Sequence, residues 1–208
     1  MKLAELTVTS YLDLLNSDAP APGGGSASAL CGAQGAALVS MVAGLTIGKK
    51  KYPDDQDLCK DVAEKASKLK DAFLTQVDKD TEAFNLVSAA FKLPKETEEE
   101  KAARAKAIAD ATLVATQVPF ETMKLCLETL RYTKSLIGHS NTNAASDLGV
   151  SALNLLACIK GAWLNVLINL GGLEDEAKAK DFRKKGEEMV ATAQKEADEI
   201  HQATLGVL

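Results

Sequence analysis

The chain has 208 residues, 46% of them hydrophobic, which is enough to bury a substantial core, and its length fits one domain over residues 1–208. A formal charge of −5 excludes a surface that attracts nucleic acid or anionic lipid as a whole, so any anion site must be a local cluster of cations. Cys31, Cys59, Cys126 and Cys158 are dispersed with no C-x-x-C pair, which points to reduced, buried thiols rather than disulfides or zinc.

The opening MKLAELTVTSYLDLL is amphipathic and acidic, unlike a secretory signal, so a cytoplasmic protein is expected. A first helix is predicted from about Leu6 or Ser10 to Asn16, where SDAPAPGGG forbids continuation. A second, built of Ala, Gly and Ser, runs to about Ile47 and ends at Gly48 and the lysines before Tyr52-Pro53. Gln56 to Phe91 reads as one long helix, broken at Leu93-Pro94. KETEEEK opens the next, in which Pro119 is expected to produce a kink or a split.

GHSNTNAASD is the following break, with Ser140, Asn141 or Asn143 as candidate N-caps. A very apolar helix continues to about Leu170, Gly171-Gly172 stop it, and a charged amphipathic helix fills about Leu173 to Ala203. Strand-like alternation is hard to find, so the class is all-α, a helical bundle with two long apolar central helices. Those two segments, 27–48 and 148–170, have the length of membrane spans. The weakly apolar Ala, Gly and Ser of one, and Asn154, Lys160, Asn165 and Asn169 of the other, favour core helices, with no membrane partner.

Four features could carry chemistry. PGGGS matches neither the P-loop nor the dinucleotide fingerprint. It offers the bare backbone N–H groups of Gly24 and Gly25 and the Ser26 hydroxyl at a helix start, suited to an anion or to close packing. On the apolar helix, Asp147, Ser151, Asn154, Cys158, Asn165 and Asn169 fall within a roughly 60° arc, because each residue turns about 100°. Such a stripe either forms a register-setting hydrogen-bond network or lines a wet cavity. DKDTEAFNLVSAAFKLPK places Asp80, Phe84 and Val87 on one face, and Lys49, Lys50 and Lys51 gather at a helix end. His139 lies in the polar loop with an open role, and no Glu-x-x-His pair supports a metal site.

Taken in order, APAPGGGSASAL, LTIGKKKY, DKDTEAF with AAFKLPKETEEE, and SNTNAASDLGVSALNLLACIKGAWLNVLINL resemble the cyclodeaminase/cyclohydrolase family. That family comprises the C-terminal domain of formiminotransferase-cyclodeaminase and the stand-alone methenyltetrahydrofolate cyclohydrolases. The likeness covers nearly the whole chain and is similar to the stand-alone form.

The resemblance implies an all-α folate enzyme with a tetrahydrofolate derivative as substrate, neither metal nor other cofactor, no nucleic acid, and a homodimer or higher oligomer. The activity it implies is interconversion of 5,10-methenyltetrahydrofolate and 10-formyltetrahydrofolate. Formiminotetrahydrofolate cyclodeamination is the second reading, and a non-catalytic interaction module the third. On this resemblance Asp147 is the first candidate acid–base, Asp80 the second, and Ser26 lies beside the reacting atoms or the pterin. Gly24, Gly25, Tyr52, Phe84, Asn143, Asn165 and Asn169 are expected to bind substrate, with Lys49 and Lys51 holding a polyglutamate tail.

Overall fold

A computed structural model describes residues 2–208. Six α-helices, with no strand among the described residues, form the bundle: α1 (Val8–Leu15), α2 (Gly24–Gly44), α3 (Gln56–Phe91), α4 (Glu98–Ser135), α5 (Ala145–Leu170) and α6 (Glu176–Leu205).

The helix starts follow local chemistry. Thr7 caps α1 by accepting from the Ser10 amide, and Thr97 with Glu100 forms a reciprocal capping box at α4. Asp175 caps α6, slightly later than the predicted Leu173 start, because its side chain accepts from the Lys178 amide. Of the three candidate caps before α5, Asn141 serves: it accepts from Asn143 N and starts a 3₁₀ turn, Thr142–Ala144, that runs into the helix. Ser140 instead donates back to Leu136 O. Helix α2 ends at Gly44 rather than Ile47, and Gly48 takes a left-handed φ of 78° that lets the chain reverse toward α3.

Two apolar helices, α2 and α5, lie side by side at the centre, α3 packs on α2, α4 spans α3 and α5, and α6 closes the far side against α5 and α4. Small residues set how closely the central pair approaches. A side chain at Gly32 would collide with the Phe73 ring and the Cys158 sulfur, and one at Gly161 with Ser28. Phe73, Met123, Leu130, Leu155 and Ile159 fill the space between the helices. Full burial of each such side chain contributes roughly 1.5–3 kcal/mol. The four cysteines are free thiols, three buried and Cys31 half-buried.

Helices α2 and α5 are long and apolar enough to cross a membrane by length and composition, yet each buries one side in this core. Of the two outcomes expected at Pro119, the split does not occur: α4 runs unbroken from Glu98 to Ser135. Proline lacks the N–H that would bond the carbonyl four residues back, at Ala115. Asn169 of α5 supplies the missing donor, with Nδ2 2.8 Å from Ala115 O. A side chain from a neighbouring helix thus completes the backbone ladder.

Candidate active site

At one end of the central pair, α2 starts against α3, α4 and the last turns of α5, leaving a cleft of about 300 Å³. Gly23, Gly24 and Gly25 form one wall, Asp80 and Phe84 of α3 another, and Asn165 and Asn169 of α5 the third. Gly23 caps α2 without a side-chain bond, so the first amides of the helix face the cleft with the positive end of its dipole.

Asp80 is the one ionisable side chain lining this cleft among the described residues. Gly25 is what lets it approach: a Cβ there would run into the carboxyl group. Burial pushes the Asp80 carboxyl above the usual aspartate value, while the Ser26 hydroxyl and amide hold it partly down. The Ser26 hydroxyl is buried, 2.8 Å from Val77 O, 3.1 Å from Asp80 Oδ2 and 3.3 Å from Thr81 Oγ1.

That arrangement accommodates both states of Asp80. The ionised carboxylate accepts the Ser26 proton; a protonated Asp80 donates to Ser26 Oγ while the hydroxyl turns its own proton to Val77 O. A half-buried carboxyl with a partner for either state can take and return a proton.

The two asparagines face the same cleft with three of their four N–H donors engaged. Asn165 Nδ2 donates to Gly161 O at 2.9 Å, and Asn169 Nδ2 donates to Ala115 O and, at 2.9 Å, to Asn165 O. Each amide therefore keeps its oxygen as an acceptor. The cleft offers acceptors on two sides and bare backbone donors on the third.

The structure divides the polar stripe of α5 into three parts. Ser151 is buried and donates to Gly35 O at 2.9 Å, and Cys158 is buried against α2, so both join the central helices. Asn165 and Asn169 belong to the cleft. Asp147 lies in the first turn of α5, eighteen residues before Asn165, about 27 Å away at the helical rise.

Around that far end gather the other expected binders. Tyr52 is buried, and its hydroxyl accepts from Thr142 N at 3.0 Å; the Thr142 hydrogen bonds, with Lys51 nearby, lower its pKa. Lys51 Nζ stands 5.5 Å from the Tyr52 ring centre, and Lys49 and Asn143 are exposed alongside. His139 Nδ1 lies 2.8 Å from Asp55 Oδ1. The structure thus brings Ser26, Gly24, Gly25, Asp80, Phe84, Asn165 and Asn169 together, and places Lys49, Lys51, Tyr52, Asn143 and Asp147 outside this cleft.

Sequence reasoning did not identify Thr81, the Val77 carbonyl or the Ala115 carbonyl. Only the last had a signal, the proline four residues after it.

The model of the formiminotransferase-cyclodeaminase family matches residues 7–188. A methenyltetrahydrofolate cyclohydrolase of Methylorubrum extorquens is 44% identical over 187 residues, which is 90% of each chain. The formimidoyltransferase-cyclodeaminase of Gallus gallus is 33% identical over 90% of this chain, but the match spans only 34% of that longer protein. A crystal structure of formiminotetrahydrofolate cyclodeaminase from Thermotoga maritima superposes with a TM-score of 0.81 at 27% identity, covering 98% of this chain and 96% of that one. The helical architecture, the cleft at the start of α2 and these matches agree, and the chain belongs to the formiminotransferase-cyclodeaminase family of enzymes.

Proposed function

We propose that the protein is a methenyltetrahydrofolate cyclohydrolase whose reacting centre is the Asp80–Ser26 pair. The observation that carries this reading is a half-buried, proton-competent carboxyl lining the cleft at the start of α2. The 44% identity to a cyclohydrolase over 90% of both chains selects this reaction.

The pterin edge of a folate presents N–H donors, which suit the free oxygens of Asn165 and Asn169. Phe84, 40% exposed at the rim, offers a face for the aromatic part of the substrate. Ionised Asp80 takes a proton from water as its oxygen bonds to the cationic methenyl carbon. The resulting carbon bears hydroxyl, N5 and N10. Loss of the hydroxyl proton forms the formyl C=O as the C–N5 bond breaks, and Asp80 returns its proton to N5. The balance is methenyl cation plus water giving 10-formyl product plus one proton. Negative charge developing on the oxygen would be met by the bare amides of Gly24 and Gly25.

The chemistry requires no metal or further cofactor, and the enzyme acts as a homodimer, in keeping with its uncovered apolar helix face. The same proton carrier would serve cyclodeamination, in which N10 attacks a formimino carbon and ammonia leaves. Parallel assays of purified protein separate the two: methenyl-band decay for hydrolysis, ammonia release from 5-formiminotetrahydrofolate for deamination. The proposal predicts that hydrolysis dominates kcat/KM. A dominant ammonia-releasing activity would reassign the enzyme.

A further inference from the structure

A second cavity, of about 450 Å³, lies where α3, α4 and the start of α6 meet, and its lining shares no residue with the cleft at the start of α2. Phe120 and Phe182 give it an apolar floor, meeting edge to face with ring centres 4.9 Å apart. The rest of its lining is charged. Lys124 Nζ is 2.8 Å from Glu121 Oε2, and Lys185 Nζ is 2.7 Å from Asp181 Oδ2. Lys79 of α3 joins neither pair, so three ammonium groups face two carboxylates and one positive charge is left over.

Gln76, one turn before Asp80 on α3, supplies an independent sign of a ligand. The side chain lines this cavity and is 6% exposed, and its Oε1 is buried with no hydrogen-bond partner among the described residues. A buried acceptor without a donor is costly, and folded proteins keep few of them. The terminal torsion of a glutamine is soft, so the amide oxygen can turn toward the cavity when a donor arrives there.

The ammonium groups and the orphan oxygen together select the ligand. The first require an anion; the second requires an O–H or N–H on that same anion. Sulfate and simple carboxylates offer only acceptors near neutral pH. A phosphate monoester has also shed its last proton there, since its second pKa is about 6. Inorganic phosphate differs, because its dianion keeps one P–OH beside its charged oxygens.

We propose that this cavity binds inorganic phosphate, with Lys79, Lys124 and Lys185 around its charged oxygens and Gln76 Oε1 accepting from its P–OH. The site lies on α3 next to the Asp80 centre but takes no part in the reaction, and it does not rest on the folate reading.

Calorimetric titration of the full chain tests it with salts alone, at fixed ionic strength and a pH of about 7.5, where the monoester is deprotonated. Inorganic phosphate should bind about tenfold or more tighter than sulfate or glycerol 3-phosphate, the worth of one hydrogen bond to a charged group. Gln76→Leu removes the orphan acceptor without leaving a void, so the chain should stay folded by circular dichroism and lose the preference for phosphate. Lys79→Ala, at an exposed position, should weaken phosphate and sulfate alike.

Equal binding of phosphate and sulfate by the wild type would show simple screening of surface lysines and overturn the proposal. Glycerol 3-phosphate binding as tightly as phosphate would overturn the role of the P–OH. Phosphate affinity unchanged in Lys79→Ala but lost in Lys51→Ala would place the anion at the other lysine cluster and overturn the site.

Discussion

Replacing Asp80 with Asn removes the proton carrier while keeping its shape. The amide oxygen still accepts from Ser26 Oγ at the 3.1 Å contact, and Gly25 leaves the same space, so α2 and α3 should remain docked. General acid–base assistance is worth about 10²–10⁴-fold, or roughly 3–5 kcal/mol of barrier, and kcat should fall by that factor. Binding depends mainly on the asparagine oxygens, so KM should change less than threefold.

Stability should move the other way. The folded-state pKa of Asp80 is raised, so the native state holds its proton more tightly than the unfolded chain. The wild-type protein therefore loses stability as pH rises from the ordinary aspartate value through the raised one. Asp80→Asn abolishes that loss and should melt at or slightly above the wild-type temperature near neutrality. In the wild type, kcat/KM should fall with decreasing pH through the raised pKa, because the base must be ionised. That limb should be absent in the variant. The assay is decay of the methenyl absorbance across a pH series, with circular dichroism as the folding control. An Asp80→Asn enzyme within threefold of wild-type kcat would refute the assignment.

Ser26→Ala removes the hydroxyl that holds the Asp80 pKa down, so the acid limb of the pH–rate profile should move to higher pH. Gly25→Ala places a methyl against the Asp80 carboxyl and should cost at least tenfold in kcat/KM, read in the same assay. Asn169→Ala strands the Ala115 carbonyl above Pro119 and should cost about 1–3 kcal/mol in urea unfolding. Adding Pro119→Ala restores an N–H donor to that carbonyl and should recover much of the loss, a coupling measurable by a double-mutant cycle. Asp147→Asn should leave the fold intact by circular dichroism and kcat within threefold of wild type in the methenyl assay, because Asp147 is about 27 Å from Asn165 along α5.

Most of the helices were legible in the sequence because capping and breaking are local. Thr97 with Glu100, Pro94 after Phe91, and Gly171-Gly172 after Leu170 mark their boundaries within a few residues. Why α4 continues through Pro119 was not legible, because the compensating donor is Asn169, fifty residues later, and backbone rules alone cannot see a side chain from another helix. The site was half legible. Helical periodicity gives the angle of a residue round the axis, so Asp147 and Asn165 share a face. It conceals the distance along that axis, which separates them by five turns. Pairing of Ser26 with Asp80 required the α2–α3 contact, set by the absence of a side chain at Gly25.

Hydrolysis of the methenyl bridge in this cleft can be observed directly. Its most direct measurement is the decay of methenyltetrahydrofolate absorbance with wild-type protein, with Asp80→Asn and with buffer alone, under one set of conditions. Decay should be rapid with the wild type and close to the buffer rate with the variant. Equal decay in all three would contradict the assignment.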